Sequence, residues 1–148
     1  MCSSDLKAGN ISNVSFKPLE NELVMTWSEG DEVNSVHIGM DGEYRWSKIV
    51  IGQTPYNACS IGAWNSENEL EIHIRPIEAV AERVLVFDFS GENVTMKPSS
   101  NPSIAVMGES IKESVKGIIK QPVISNAFSN LIPHIVPLVD AKHRGKIK

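Results

Sequence analysis

Residues 69–77 read Glu69-Leu70-Glu71-Ile72-His73-Ile74-Arg75-Pro76-Ile77. Leu70, Ile72 and Ile74 alternate with Glu71, His73 and Arg75. Successive side chains of a β-strand point to opposite faces, so this order puts aliphatic groups on one side and titratable groups on the other. A helix would mix the two sets around its axis, because its period is 3.6 residues. The stretch therefore predicts a half-buried strand.

The same pattern extends outward from it. Upstream, Ser12–Lys17 alternates Val14 and Phe16 with polar residues, and Glu22–Ser28 places Leu23, Met25 and Trp27 on one face. Glu29-Gly30-Asp31 marks a turn, and Val33–Met40 then aligns Val36, Ile38 and Met40. Asp41-Gly42 predicts a two-residue type I′ hairpin into Glu43–Ile51, since that turn needs residues tolerant of positive φ. Gly52 to Pro55 break the run. Asn57–Trp64 is small and apolar (Ala58, Cys59, Ile61, Gly62, Ala63), which points to close backbone approach or a bend in a curled sheet. Downstream, Glu82–Ser90 is apolar on both faces at its centre, from Val84 to Phe87, and predicts a buried central strand. Ser90-Gly91-Glu92 turns into Asn93–Lys97, and Pro98 to Pro102 read as a break. About eight strands at short, regular spacing predict an antiparallel up-and-down meander curled into a lipocalin-like barrel.

The remaining segments divide the chain into three parts. Residues 1–10 are polar and read as a flexible start. The β-barrel-like domain is expected over residues 11–108, and residues 109–148 form a helical or irregular tail. Within that tail, Ser110-Ile111-Lys112-Glu113 has the capping-box pattern, and Ile111, Val115, Ile118 and Ile119 share one helical face. A helix is expected over Ser110–Gln121, ended by Pro122, with a second short one over Asn126–Ile132. The tail's apolar residues need cover, from the sheet or from a second chain, so self-association through residues 109–148 is one expectation.

Composition narrows the function. The chain has 148 residues, a formal net charge of −4 and 22% charged residues. An acidic balance disfavours a nucleic-acid surface, which needs a basic face against phosphates. The basic cluster Lys142, Arg144, Lys146 and Lys148 reads as a solvated terminus. No run of about 18 apolar residues is present, so no transmembrane segment is expected. Neither a signal peptide nor a disulfide framework is expected from a chain whose cysteines are Cys2 and Cys59. These features predict a cytoplasmic protein, or a membrane-linked one if it belongs to a longer exported chain. Cys59 reads as a small buried hydrophobe.

Candidate chemistry is sparse. The histidines are His37, His73, His134 and His143, and none stands in a metal-ligand spacing with another ligand. No glycine-rich phosphate loop occurs, so neither a metal nor a cofactor is expected. Ser4-Asp5-Leu6-Lys7 matches S-x-x-K, but its usual partner motifs K-T-G and S-D-N are missing. The ladder Glu71, His73 and Arg75 is the best polar constellation: it could line a polar cleft or be a solvated outer face. Trp27, Tyr44, Trp46 and Trp64 could floor a ligand cavity in a barrel mouth or simply be core.

A longer pattern carries a resemblance. Ala58-Cys59-Ser60-Ile61-Gly62-Ala63-Trp64 precedes the Asn65–Asn68 turn and Glu69-Leu70-Glu71-Ile72. Ile77-Glu78, then Arg83-Val84-Leu85-Val86-Phe87-Asp88-Phe89 and Ser90-Gly91-Glu92-Asn93-Val94-Thr95 follow. This succession, over about Ile11–Lys97, resembles the lipocalin-like C-terminal domain appended to bacterial β-lactamase-related serine hydrolases. In that family a small-small-Gly-Ala-Trp strand, an alternating strand ending in Ile-Glu, and a Phe-x-Phe-x-Gly-Asp/Glu-x-Val-Thr hairpin recur. The resemblance implies an accessory β domain beside a penicillin-recognising hydrolase domain. The S-x-x-K, Tyr-x-Asn and K-T-G set of that hydrolase is absent as a set here, so no catalytic residue is carried over.

Three readings follow. The first is a noncatalytic accessory domain that packs on a serine hydrolase domain or shapes its cleft. The second is a stand-alone module that holds a small apolar ligand among Trp27, Trp46 and Trp64. The third is an enzyme using His37, His73, Glu71 and Arg75 in acid–base work.

Overall fold

The computed structural model describes residues 11–79, 81–103, 106, 109 and 143–146. These build a mainly β molecule: β1 (Ile11–Pro18), β2 (Glu22–Glu29), β3 (Glu32–Gly39), β4 (Arg45–Ile51), β5 (Thr54–Trp64), β6 (Glu69–Pro76), β7 (Glu82–Asp88), β8 (Asn93–Asn101) and β9 (His143–Lys146). One sheet holds them all, in the order β1-β2-β3-β5-β6-β7-β8-β9, with β4 paired to β5.

The alternating residues decide which way the sheet curls. Met25, Trp27, Val36, Ile38, Leu70, Ile72, Ile74, Leu85 and Phe87 all point inward and are nearly or fully buried. Register aligns them in rows: Met25 faces Val36, Leu70 faces Phe87, and Ile72 faces Leu85. Rolling the sheet brings its ends together over this apolar face. The rings of Phe16 on β1 and Phe87 on β7 meet nearly perpendicular, with centroids 5.1 Å apart. The result is a half-barrel whose concave side is the core.

The meander is broken at β4. The long strand β5 pairs with β4 through its first half and with β6 through its second, while its Ile61 meets Gly39 of β3 in parallel. The sheet is therefore mixed rather than wholly antiparallel. Side chains bridge the gap between β3 and β4. The buried Asn34 donates from Nδ2 to the Val50 carbonyl at 2.9 Å and accepts the Val50 N–H at 2.7 Å. A carboxamide offers the same donor and acceptor as a peptide unit, so Asn34 continues the ladder where backbone does not reach. His37 N–H similarly donates to Ser47 Oγ at 2.9 Å.

Turn chemistry departs from the sequence expectation in one place. The type I′ hairpin is not at Asp41-Gly42, where Gly42 alone has positive φ, but at Gly52-Gln53, with φ of 57° and 68°. There Ile51 pairs directly with Thr54. β3 stops earlier, at Gly39, because the 40–44 connection folds back on it. A Cβ at Gly39 would lie 1.6 Å from the Glu43 carbonyl oxygen, so only glycine fits. The smallness of β5 has a similar cause: a Cβ at Gly62 would lie 2.9 Å from Ile38 Cγ2.

Two further expectations change. Pro98 does not end β8, which runs on to Asn101. β9 covers β8 only from Asn93 to Met96, so Pro98 sits on a strand stretch with β7 on one side, where a missing N–H is tolerated. His143–Lys146, expected within a helical or irregular tail, pairs antiparallel with β8. The helices expected over Ser110–Gln121 and Asn126–Ile132 lie outside the described residues.

Candidate functional site

The densest polar arrangement is on the convex face, where β6 presents the ladder read from the sequence. His73 Nε2 lies 2.8 Å from Glu71 Oε1, and His73 Nδ1 lies 3.4 Å from Glu82 Oε1 on β7. Strand pairing explains the meeting, since His73 faces Val84 and Glu82 is the next residue on that face. Each carboxylate also accepts from an asparagine, Glu71 on its other oxygen and Glu82 on the same one. Asn65 Nδ2 donates to Glu71 Oε2 at 2.9 Å, and Asn101 Nδ2 donates to Glu82 Oε1 at 3.0 Å. Burial of the ring works against its charge, but the bonds to Glu71 and Glu82 outweigh it and raise the His73 pKa above the ordinary 6.5. The bond with His73, followed by that from Asn65, holds the Glu71 carboxyl below its ordinary 4.5. Arg75, the third member of the ladder, is exposed and faces Cys59 across the β5–β6 pair.

His37 belongs to a different cluster. Its Nδ1 lies 2.8 Å from Glu22 Oε1, and Arg45 joins Glu22 at 3.2 Å and Asp41 at 2.7 Å. The bond from Arg45 depresses the Asp41 pKa. Each histidine thus has its own carboxylate partners, and the two are not brought together as an acid–base pair. Among the described residues, no group of three or more His, Cys, Asp or Glu is arranged to hold a metal ion.

The three tryptophans do not share a cavity. Trp27 is 1% exposed and lies in the core, whereas Trp46 is 66% and Trp64 53% exposed. Trp46 is opposite Cys59 on the convex side, beside a cysteine that is buried and free. Trp64 lies at one end of the concave side, 5.8 Å from Phe89, in a chain of rings that continues through Phe87 and Phe16. An open depression lies at the β7–β8 hairpin, lined by Ser90, Gly91, Glu92, Asn93 and Thr95.

At the other end of the concave side, Arg83 closes the half-barrel. Its two terminal nitrogens reach Glu29 Oε2 at 2.8 Å and Oε1 at 3.1 Å, and Trp27 Nε1 donates to Glu29 Oε2 at 3.3 Å. Register places Ser60, Ile74, Arg83 and Ser100 in one row across four strands. Sequence reading missed this pair, as it missed Glu82 and Glu22. A signal existed for Glu82: it shares parity with Val84 and Val86, so pairing of β6 with β7 puts it on the face of His73. Nothing local to Glu29 or Arg83 announces a contact spanning the sheet.

No protein-family model matches the chain, and no curated protein matches it. No helix among the described residues is long and apolar enough to cross a membrane.

Proposed function

We propose that the chain is a noncatalytic accessory β domain, lipocalin-like in its barrel, that packs on a serine hydrolase domain related to β-lactamases or shapes its cleft. The observation that carries this reading is the use of the concave face. Met25, Trp27, Ile38, Ile72, Leu85 and Phe87 occupy it and are at most 2% exposed. In a lipocalin-like module that holds a ligand, this face would be the cavity wall. Here its side chains pack on one another, which leaves the outer surface and its exposed aromatics, Tyr44 and Trp46, to meet a partner. The succession of β5, β6, β7 and β8 as adjacent antiparallel strands also fits the sequence pattern shared with the hydrolase accessory domains. A second reading, a module for a small apolar ligand, draws on the half-exposed Trp64 against Phe89.

Native mass spectrometry of the full chain purified from its natural host, combined with labelling by a fluorescent penicillin, tests the proposal. The expected result is a complex with a penicillin-labelled protein. A small molecule released on denaturation would instead make ligand binding the function. A bare dimer would point to residues 109–148 as an assembly element.

A further inference from the structure

The convex-face histidine has a property that partner binding does not require. Its two ring nitrogens face carboxylates from two strands, Glu71 on β6 and Glu82 on β7. An imidazolium donates from both nitrogens, whereas a neutral ring has one N–H and one lone pair. After loss of a proton, one carboxylate must face that lone pair. We propose that Glu71, His73 and Glu82 form a proton-operated clasp across β6 and β7, closed in weakly acidic solution and loosened above neutrality. Asn65 and Asn101 grip the two carboxylates, so loosening reaches the β5–β6 turn and the end of β8.

The charged surroundings leave this role to the three residues. Glu69 and Arg75 on β6, Asp88 on β7, Lys97 on β8 and Cys59 on β5 share the convex face by register. The ring's own ion-pair contacts run to Glu71 and Glu82. Beyond β5, Glu22, His37 and Arg45 satisfy one another. The direction of the pH effect follows from linkage. The folded-state pKa of His73 is raised, so its contribution is complete below 6.5 and is lost as pH rises through the raised value. The Glu71 pKa is lowered, so its contribution is complete above 4.5 and is lost as pH falls through the lowered value. The clasp is therefore complete between these two ordinary values.

The test is an NMR titration of the imidazole resonances of the full chain, with His73 assigned by the peak missing in His73→Gln. The His73 pKa is expected above the ordinary value, and Glu71→Gln and Glu82→Gln should each lower it. Thermal unfolding supplies the second readout. The midpoint should fall by a few degrees between pH 6 and pH 8.5, the scale of a small stability change in a domain of this size. His73→Gln should reduce that fall. If His73→Gln does not fold, the Glu82→Gln titration still decides. A His73 pKa at the ordinary value, or one unmoved by both glutamine variants, overturns the proposal. So does an equally steep loss of midpoint in a folded His73→Gln protein.

Discussion

Arg83→Met should unlatch the half-barrel at one end. The arginine joins β7 to β2 by two parallel hydrogen bonds to Glu29, 54 residues away in sequence. The side chains of Arg83 and Glu29 are 26% and 16% exposed, so the pair is partly withdrawn from water. Methionine keeps the apolar stem against the core and removes the charge. Glu29 then retains the Trp27 indole at 3.3 Å and loses both stronger donors. Breaking a fully buried ion pair on one side costs about 3–5 kcal/mol. A hydrogen bond to a charged group contributes about 1.5–3 kcal/mol. Partial exposure places this site toward the lower figure, at about 2 kcal/mol. With a urea dependence of about 1.5–2 kcal/mol per molar, the unfolding midpoint should drop by about 1 M. Urea unfolding followed by tryptophan fluorescence and far-ultraviolet circular dichroism measures this. Adding Glu29→Gln to Arg83→Met should recover part of the loss, because no unpaired carboxylate remains. A loss under about 0.5 kcal/mol for Arg83→Met, or strictly additive single variants, would refute the latch.

Two other substitutions examine the sheet itself. Gly62→Ala would bring a methyl group to 2.9 Å from Ile38 Cγ2 and 3.2 Å from the Glu71 carbonyl oxygen. Overpacking of this kind costs about 1–3 kcal/mol, and Ile38→Ala in the same chain should make the combined loss smaller than the sum; denaturant unfolding of the four proteins closes the cycle. Gln53→Asn should raise the thermal midpoint, because the left-handed φ of 68° suits asparagine better, by about 0.5–1 kcal/mol of stability. A lower midpoint would argue against the Gly52-Gln53 turn geometry.

The strands were legible because alternation is a local signal. Leu23, Met25 and Trp27, or Leu70, Ile72 and Ile74, announce both a strand and its inward face. Pairing of neighbouring strands followed from tight turns, and the five consecutive pairs from β1 to β3 and from β5 to β8 include no surprise in order. The failures lie where a distant contact outweighs a local one. Asp41-Gly42 has the composition of a type I′ turn, yet Met40 N–H donates instead to the Asn21 carbonyl at 3.0 Å, and the chain leaves β3 early. Gly52-Gln53 has the real turn, although glutamine carries no preference for positive φ. Pro98 reads as a breaker from composition alone, yet its pairing with Leu85 of β7 keeps it within β8.

The candidate site shows the same division. Alternation placed Glu71, His73 and Arg75 on one outer face, but it could not say which of them would be paired. His73 became the centre because Glu82 of β7 reaches its ring, while Arg75 faces Cys59 on β5. For the tryptophans, composition offers large rings and no depth. Trp27 is interior because β1 and β7 close over β2, a consequence of Phe16 meeting Phe87 and of Glu29 meeting Arg83. Trp46 belongs to a strand whose inward positions are taken by Ser47 and Ile49, so its ring must point away. The curled sheet buries Trp27 and Phe87 on its inner face and leaves Trp46 exposed on its outer one. On the proposed function and the proposed clasp, that asymmetry makes the convex side, with Trp46 and His73, the place where a partner or a proton would act on this fold.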